Sequence, residues 1–192
     1  MSALLLAAAL SLPIPGRIKG IPESIAKGSG AAFVEVVVDP TGKAVSCIRV
    51  SSFGDAWVVK QLCKIDAAGG YQPAKGKDGK ATWGVLRTFL ALSAGPIDTS
   101  RLSRPVQYEV AVAELPKGAK KAVEVEIVVE VGEGGKVTAC EASQKTKKEL
   151  LPLVERACAE ATSRPVEAPR AGQLPNYVTN ITVRFNRKVV VF

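Results

Sequence analysis

The chain carries the stretch Val34-Glu-Val-Val-Val-Asp-Pro-Thr-Gly-Lys-Ala-Val-Ser-Cys47 and repeats it as Val125-Glu-Ile-Val-Val-Glu-Val-Gly-Glu-Gly-Gly-Lys-Val-Thr-Ala-Cys140. Each version predicts an apolar strand, a turn at Gly-Lys and a second strand that carries a cysteine. A further cysteine follows in each copy, Cys63 in the first and Cys158 in the second. This repeat decides the fold, because it makes the chain two copies of one unit.

The segment between the two cysteines of each copy predicts a helix. In the first copy Asp55 can cap the amino end, and Val58 and Leu62 fall on one apolar face. In the second copy Pro152 fits best in the first helical turn, which places the helix start near Leu150 or Leu151. A capping box at Thr146-Lys-Lys-Glu149 predicts an earlier start instead. Both copies then end on an apolar strand, Thr82 to Leu92 and Tyr177 to Phe185.

The four cysteines form an even set that favours disulfides over free thiols in an exported protein. Four cysteines permit three pairings. Because Cys47 and Cys63 occupy the same strand and helix positions as Cys140 and Cys158, we expect pairing within each copy.

The composition excludes general disorder and argues against two functional classes. The chain has 192 residues, 47% of them hydrophobic and 23% charged, with a net charge of +8 and no histidine. Its lysines collect at predicted turns without interleaved aromatic residues, so we expect solvated turns and no nucleic-acid binding. Without histidine, a Cys-x-x-Cys motif or a Gly-x-Ser-x-Gly frame around Ser51-Ser52, we expect no enzyme, metal site or cofactor.

The first copy has a characteristic order of features: Asp39-Pro-Thr-Gly-Lys43, Ser51-Ser52-Phe-Gly54 after the Cys47 strand, the helix with Cys63, and Tyr71-Gln-Pro73-Ala74 before the last strand. In this order the sequence resembles the TonB carboxy-terminal domain family, in particular its cysteine-containing periplasmic members. The second copy keeps the Gly-Lys turn and both cysteines, but it lacks the Ser-Ser-Gly step and is a diverged copy.

The resemblance implies an α+β fold of two tandem β-β-α-β modules, each a small antiparallel sheet with a helix on one face and one internal disulfide. It also implies that an edge strand pairs with an extended segment of a protein partner in the periplasm or outer membrane, such as a TonB-dependent transporter. The expected edge is Thr82 to Leu92, on which Val85, Arg87 and Phe89 share one face. The anchor and proline-rich spacer of the energy transducer are missing from this sequence, so energy transduction does not follow from the resemblance.

The amino terminus has the short apolar run of a secretory signal. We expect residues 1–15 to be a signal peptide that is cleaved between Ala9 and Gly20, which places the mature protein in the periplasm of a Gram-negative bacterium without a membrane span. The alternatives are a buried apolar amino-terminal segment or a chain whose true start lies upstream. The predicted organisation continues with residues 16–93 as the first module, 94–105 as a linker and 106–192 as the second module.

Several questions stay open at the level of the sequence. The stretch Val106 to Glu114 alternates like a strand and is either an extra strand or a linker. The alternative function is a basic structural or envelope-associated protein with no role in TonB-dependent transport. The partner, the oligomeric state and the packing of the two copies are not determined by the pattern.

Overall fold

The computed structural model describes residues 9–16, 28–93, 105–116, 118–119 and 121–187. These residues form a mixed α+β fold, which confirms the predicted class. In chain order its elements are β1 (Ile14–Pro15), β2 (Gly30–Val38), β3 (Ala44–Gly54), α1 (Ala56–Ala68), β4 (Tyr71–Gln72), β5 (Ala74–Lys75), β6 (Ala81–Leu92), β7 (Tyr108–Val112), β8 (Ala122–Val131), β9 (Val137–Ala142), α2 (Leu151–Thr162) and β10 (Tyr177–Arg187).

One sheet of eight strands contains strands of both copies. Its order is β3-β2-β6-β10-β8-β9, with β5 beside β6 and β7 beside β10. The last strands of the two copies, β6 and β10, run parallel, with Trp83 opposite Tyr177 and Val85 opposite Thr179. The copies, whose packing the sequence left open, are therefore joined through one hydrogen-bonded sheet.

The two helices lie on opposite faces of this sheet. Helix α1 packs Val59 and Leu62 onto a cluster that contains Val36, whereas the cluster against α2 contains Val37 and Ala157. Neighbouring residues of a strand point to opposite faces, so Val36 and Val37 mark the two sides. Strand β2 is buried along all nine residues because both of its faces are covered.

The helix starts follow the local sequence signals. The Asp55 carboxylate caps α1 by accepting two backbone N–H groups of the first turn, at 2.8 and 3.2 Å. Helix α2 begins at Leu151 with Pro152 in its first turn, which confirms the later predicted start. The alternative capping box at Thr146 does not form, because no side chain caps the helical residues that follow it and α2 begins only at Leu151. The Thr146 hydroxyl instead donates to the backbone oxygen of Glu126 at 2.8 Å.

Two disulfides tie the second strand of each copy to the helix that packs on it. Cys47 on β3 is bonded to Cys63 on α1, with their Cα atoms 5.7 Å apart. Cys140 on β9 is bonded to Cys158 on α2, with their Cα atoms 5.8 Å apart. This is the pairing within copies that the repeat predicts.

The described part of the predicted signal peptide, residues 9–16, packs against the rest of the fold. Leu10 and Pro13 are buried, and β1 pairs antiparallel with β4. This arrangement matches the alternative interpretation of a buried amino-terminal segment. Residues 1–8 lie outside the described residues, and cleavage of the segment stays a prediction.

The stretch Val106 to Glu114 contains β7, which runs parallel to the far end of β10 and extends the sheet. The extra-strand interpretation of this stretch is therefore confirmed. Of the predicted linker 94–105, only Pro105 belongs to the described residues. Neither helix in the described part of the chain has the length and apolarity that crossing a membrane requires.

Candidate protein-binding edges and the polar junction

At Val85 the predicted binding edge on β6 is not open, because β6 is paired with a strand on each side there. Val85 is 0% exposed and stands between Val37 on β2 and Thr179 on β10. The prediction of an open edge at this position is wrong, because the first residues of β10 form the next strand. A repeat pattern describes which residues are apolar, but it does not reveal that the last strand of the second copy pairs with the last strand of the first.

The next position of β6 is closed by a side chain. The Arg87 backbone N–H donates to Asn180 Oδ1 at 2.9 Å, and Asn180 Nδ2 donates to the Arg87 backbone oxygen at 2.8 Å. This side-chain amide takes the place of a neighbouring strand. Phe89, the third predicted residue, is half-buried and lies opposite Phe33 of β2.

Arg87 belongs to a polar junction between the two copies, formed with Glu35, Thr179 and Asn180. Its Nε donates to Glu35 Oε2 at 3.0 Å, and its guanidinium also donates to Thr179 Oγ1 at 3.1 Å. The other oxygen of Glu35 accepts the Arg170 backbone N–H at 2.6 Å. Because the side chains of Arg87 and Glu35 are only 11% and 4% exposed, they form a buried ion pair within the first copy. The bonds of Arg87 to Thr179 and of Glu35 to the Arg170 N–H connect this pair to the second copy.

A cavity of about 540 Å³ lies beside the polar junction. Burial raises the pKa of Tyr108, one of its lining residues, although the nearby Arg164 guanidinium acts in the opposite direction. Tyr108 is therefore a neutral hydrogen-bonding group, while Glu35 and Arg87 neutralise each other. Among the described residues no group of His, Cys, Asp or Glu side chains could hold a metal ion. The polar groups of the junction bond β2, β6 and β10 to one another.

The sheet order ends in two cysteine-bearing strands with open outer edges, β3 and β9. Among the described residues β7 pairs only with β10, so its outer side is open as well. Within the described ranges no strand pairs with the outer side of β3 or β9. Strand β3 is the longer, with eleven residues, and its pairing with β2 shifts register at Val45 and Val50. Such bulges are typical of edge strands. Val45 is also one of the few large apolar side chains that are half exposed, at 50%.

Each open edge strand is covalently fixed to a helix behind it. The disulfide of Cys47 holds β3 to α1, and the disulfide of Cys140 holds β9 to α2. An edge that is held in place loses little conformational freedom when a further strand pairs with it. Both ends of the sheet are therefore preorganised for strand addition.

The outward donors of β3 can be located from its hydrogen bonds. The Asp55 backbone N–H, just after β3, points inward because it donates to the Ser29 backbone oxygen at 2.8 Å. Donors alternate in direction along an antiparallel strand, so the Ser52 N–H points outward. The Ser52 side chain is exposed. Ser52 is therefore a position at which the main chain faces an incoming strand.

Comparison with known proteins finds no matching family model, no matching curated protein and no matching solved structure. The function must therefore be inferred from the geometry of this chain.

Of the residues of the polar junction, the sequence pattern indicated only Arg87, and as an edge residue; Glu35, Thr179 and Asn180 were missed. A signal for Glu35 was present in the sequence, because it interrupts the apolar run from Phe33 to Val38. This run belongs to β2, which is buried on both faces. A buried carboxylate in such a strand requires a cation nearby. Asn180 carries no comparable signal, because the alternating polar residues of β10 have the sequence pattern of a strand with one exposed face. In the structure, however, β10 is buried from Tyr177 to Val183.

Proposed function

We propose that this protein is a non-catalytic protein-binding protein of the periplasm, in which an extended segment of a partner adds to the outer edge of β3. The observation that carries the proposal is the pair of open edge strands, each fixed by a disulfide to the helix behind it. A strand with unpaired main-chain groups offers hydrogen bonds that a peptide can complete, while alternate side chains provide selectivity.

The proposal includes an origin by duplication of a TonB-like β-β-α-β module. Its support is the element order: β2, β3, α1 and β6 in the first copy correspond to β8, β9, α2 and β10 in the second. The two disulfides occupy corresponding strands and helices. In this proposal the side-by-side packing of β6 and β10 moves the binding edge from the last strand of a module to its cysteine-bearing strand.

The disulfides also support the proposed location. Disulfides persist in oxidising compartments and are rare where thiols are kept reduced. Both pairs of this chain are oxidised and no cysteine is free. An exported protein in the periplasm has the redox conditions that this structure needs.

The experiment compares Ser52→Pro with Ser52→Ala. Proline removes the outward N–H and blocks the approach of a partner strand, whereas alanine keeps the N–H and removes only the hydroxyl. Each variant, immobilised in its oxidised form, captures proteins from a solubilised envelope extract of the native host, and mass spectrometry quantifies them. We expect a partner that wild type and Ser52→Ala retain and that Ser52→Pro loses at least tenfold.

Circular dichroism and the disulfide content of both variants serve as controls for folding. Capture of the same partner by Ser52→Pro at the wild-type level would refute edge addition on β3. If the charge reversals Lys77→Glu and Lys80→Glu abolished capture in that case, a basic surface would replace the edge as the binding site.

A further inference from the structure

A groove on the sheet face opposite α2 holds the amino-terminal segment of the chain. Val128 lines this groove, whereas its neighbour Val129 faces α2, so the two residues mark opposite sides of β8. Both copies contribute to its floor. The floor residues of this amino-terminal groove are Ala74, Gly84, Val128, Ala139 and Val178.

Leu10 occupies the apolar end of the groove. Its side chain is 6% exposed and packs with Ala74, Val128 and Val178. Its backbone N–H donates to Glu141 Oε2 at 3.2 Å. This end of the groove therefore selects an aliphatic side chain and binds the main chain at the same residue.

The main chain of the segment pairs with the protein as an added strand does. The Ser11 N–H donates to the Lys75 oxygen at 3.1 Å, and the Lys75 N–H donates to the Ser11 oxygen at 3.0 Å. Further along, Ile14 lies opposite Gln72 in antiparallel pairing. These bonds depend on the backbone alone, so another extended segment could make them.

Pro13 fits a site that a side chain would fill. A Cβ atom at Gly84 would lie 2.3 Å from the Pro13 Cγ atom, closer than carbon atoms can approach. The Pro13 ring can therefore pack on the sheet because Gly84 has no side chain. Ile14, in contrast, is 53% exposed and contributes little to the fit.

We propose that the amino-terminal groove is a second peptide-binding site, separate from β3, and that it takes an extended, uncharged segment of a partner protein with two aliphatic residues at alternate positions followed by proline. The chain's own Leu10, Leu12 and Pro13 have this pattern, since Leu12 packs against the same cluster as Leu10. These residues occupy the groove in the position that we propose for the partner. The same segment lies in the region whose removal the sequence predicts, and its loss uncovers the apolar floor for the partner.

The test uses a fluorescein-labelled peptide with the sequence of residues 9–16, Ala-Leu-Ser-Leu-Pro-Ile-Pro-Gly. In the full chain the substitutions Leu10→Asp and Leu12→Asp release the segment, and the matched control Ile14→Asp changes a half-exposed residue of the same segment. A tethered segment competes at an effective concentration in the millimolar range. Fluorescence anisotropy should therefore give about 100-fold tighter peptide binding to the released chain than to wild type or the control.

Two further measurements bear on the same site. Gly84→Ala in the released chain should weaken peptide binding at least tenfold, because its Cβ occupies the space of the proline ring. If the released variant does not fold, a protease site is inserted between Gly20 and Ile21 of the wild-type chain, so that the chain folds with its own segment in the groove. After cleavage the labelled peptide should exchange with the cut segment and bind in the groove.

Ser52→Pro should leave peptide binding unchanged, so that a failure of this site and a failure of the β3 edge are distinguishable. Equal peptide binding by wild type and the released chain would place the peptide elsewhere and overturn the proposal. So would a folded released or cleaved chain that does not bind the peptide. The proposal would also be overturned by a dimer in which each chain binds the amino-terminal segment of the other, because the groove would then bind a second copy and not a partner protein.

Discussion

The buried pair of Glu35 and Arg87, both in the first copy, bonds to Thr179 and to the Arg170 N–H of the second copy and therefore offers the sharpest test of how the two halves are joined. Arg87→Met keeps the length of the side chain but removes its donors to Glu35 and Thr179. Among the described residues, the Glu35 carboxylate, 4% exposed, then keeps the Arg170 N–H at 2.6 Å as its one remaining donor. Removing one partner of a buried ion pair costs about 3–5 kcal/mol, which is a large part of the total stability of a protein of this size.

The assay is urea denaturation. With an m-value of about 2 kcal/mol/M, the loss corresponds to a midpoint lowered by about 1.5–2.5 M. Glu35→Gln in the Arg87→Met background should recover about 1.5 kcal/mol or more, because the neutral amide still accepts the Arg170 N–H without leaving a buried charge. Both tryptophans, Trp57 and Trp83, lie in the first copy. Their fluorescence reports that half, while circular dichroism reports both.

We expect the fluorescence and circular dichroism transitions of wild type to coincide, because one sheet runs through both copies. The reasoning is refuted if Arg87→Met costs less than about 1 kcal/mol, or if the double variant is no more stable than the single one. Separate transitions would contradict the fused sheet.

Replacing both cysteines of either disulfide with alanine should lower the free energy of unfolding by about 3 kcal/mol, because the bonded cysteines are 16 and 18 residues apart. The urea midpoint of each double-alanine variant measures this loss, and an unchanged midpoint would contradict it. Burial raises the pKa of the Asp66 carboxyl above its ordinary value of 3.8. The folded state therefore binds this proton more tightly than the unfolded state does. The stability of wild type relative to Asp66→Asn should accordingly fall as the pH rises from the ordinary pKa through the raised one. Urea midpoints between pH 3 and 7 measure that difference, and the opposite slope would sink the assignment. Gly42→Ala should destabilise by about 2 kcal/mol or more, because φ is +88° and the new Cβ would lie 2.2 Å from a backbone oxygen. Gly134→Ala, where φ is +68° and the described residues leave the Cβ space open, is the milder control, and equal melting-temperature losses would contradict the steric explanation.

Local structure was accessible from the sequence because its causes lie close together in the chain. Asp55 caps α1 through atoms two and three residues away, and Pro152 sets the start of α2 through its own ring. The disulfides followed from the repetition of each cysteine at the same strand and helix position. The α+β class followed from the alternation of strand and helix patterns.

The location of the sheet edges was decided by the tertiary structure. Apolar alternation shows which faces of a strand are buried, but not which strand lies beside it. Val85 and Thr179 are far apart in the chain, and the parallel pairing of Trp83 to Val85 with Tyr177 to Thr179 places the start of the expected edge of β6 inside an eight-stranded sheet. The same packing brings Thr179 and Asn180 to the ion pair of Glu35 and Arg87 and leaves β3 and β9 at the two ends of the sheet order.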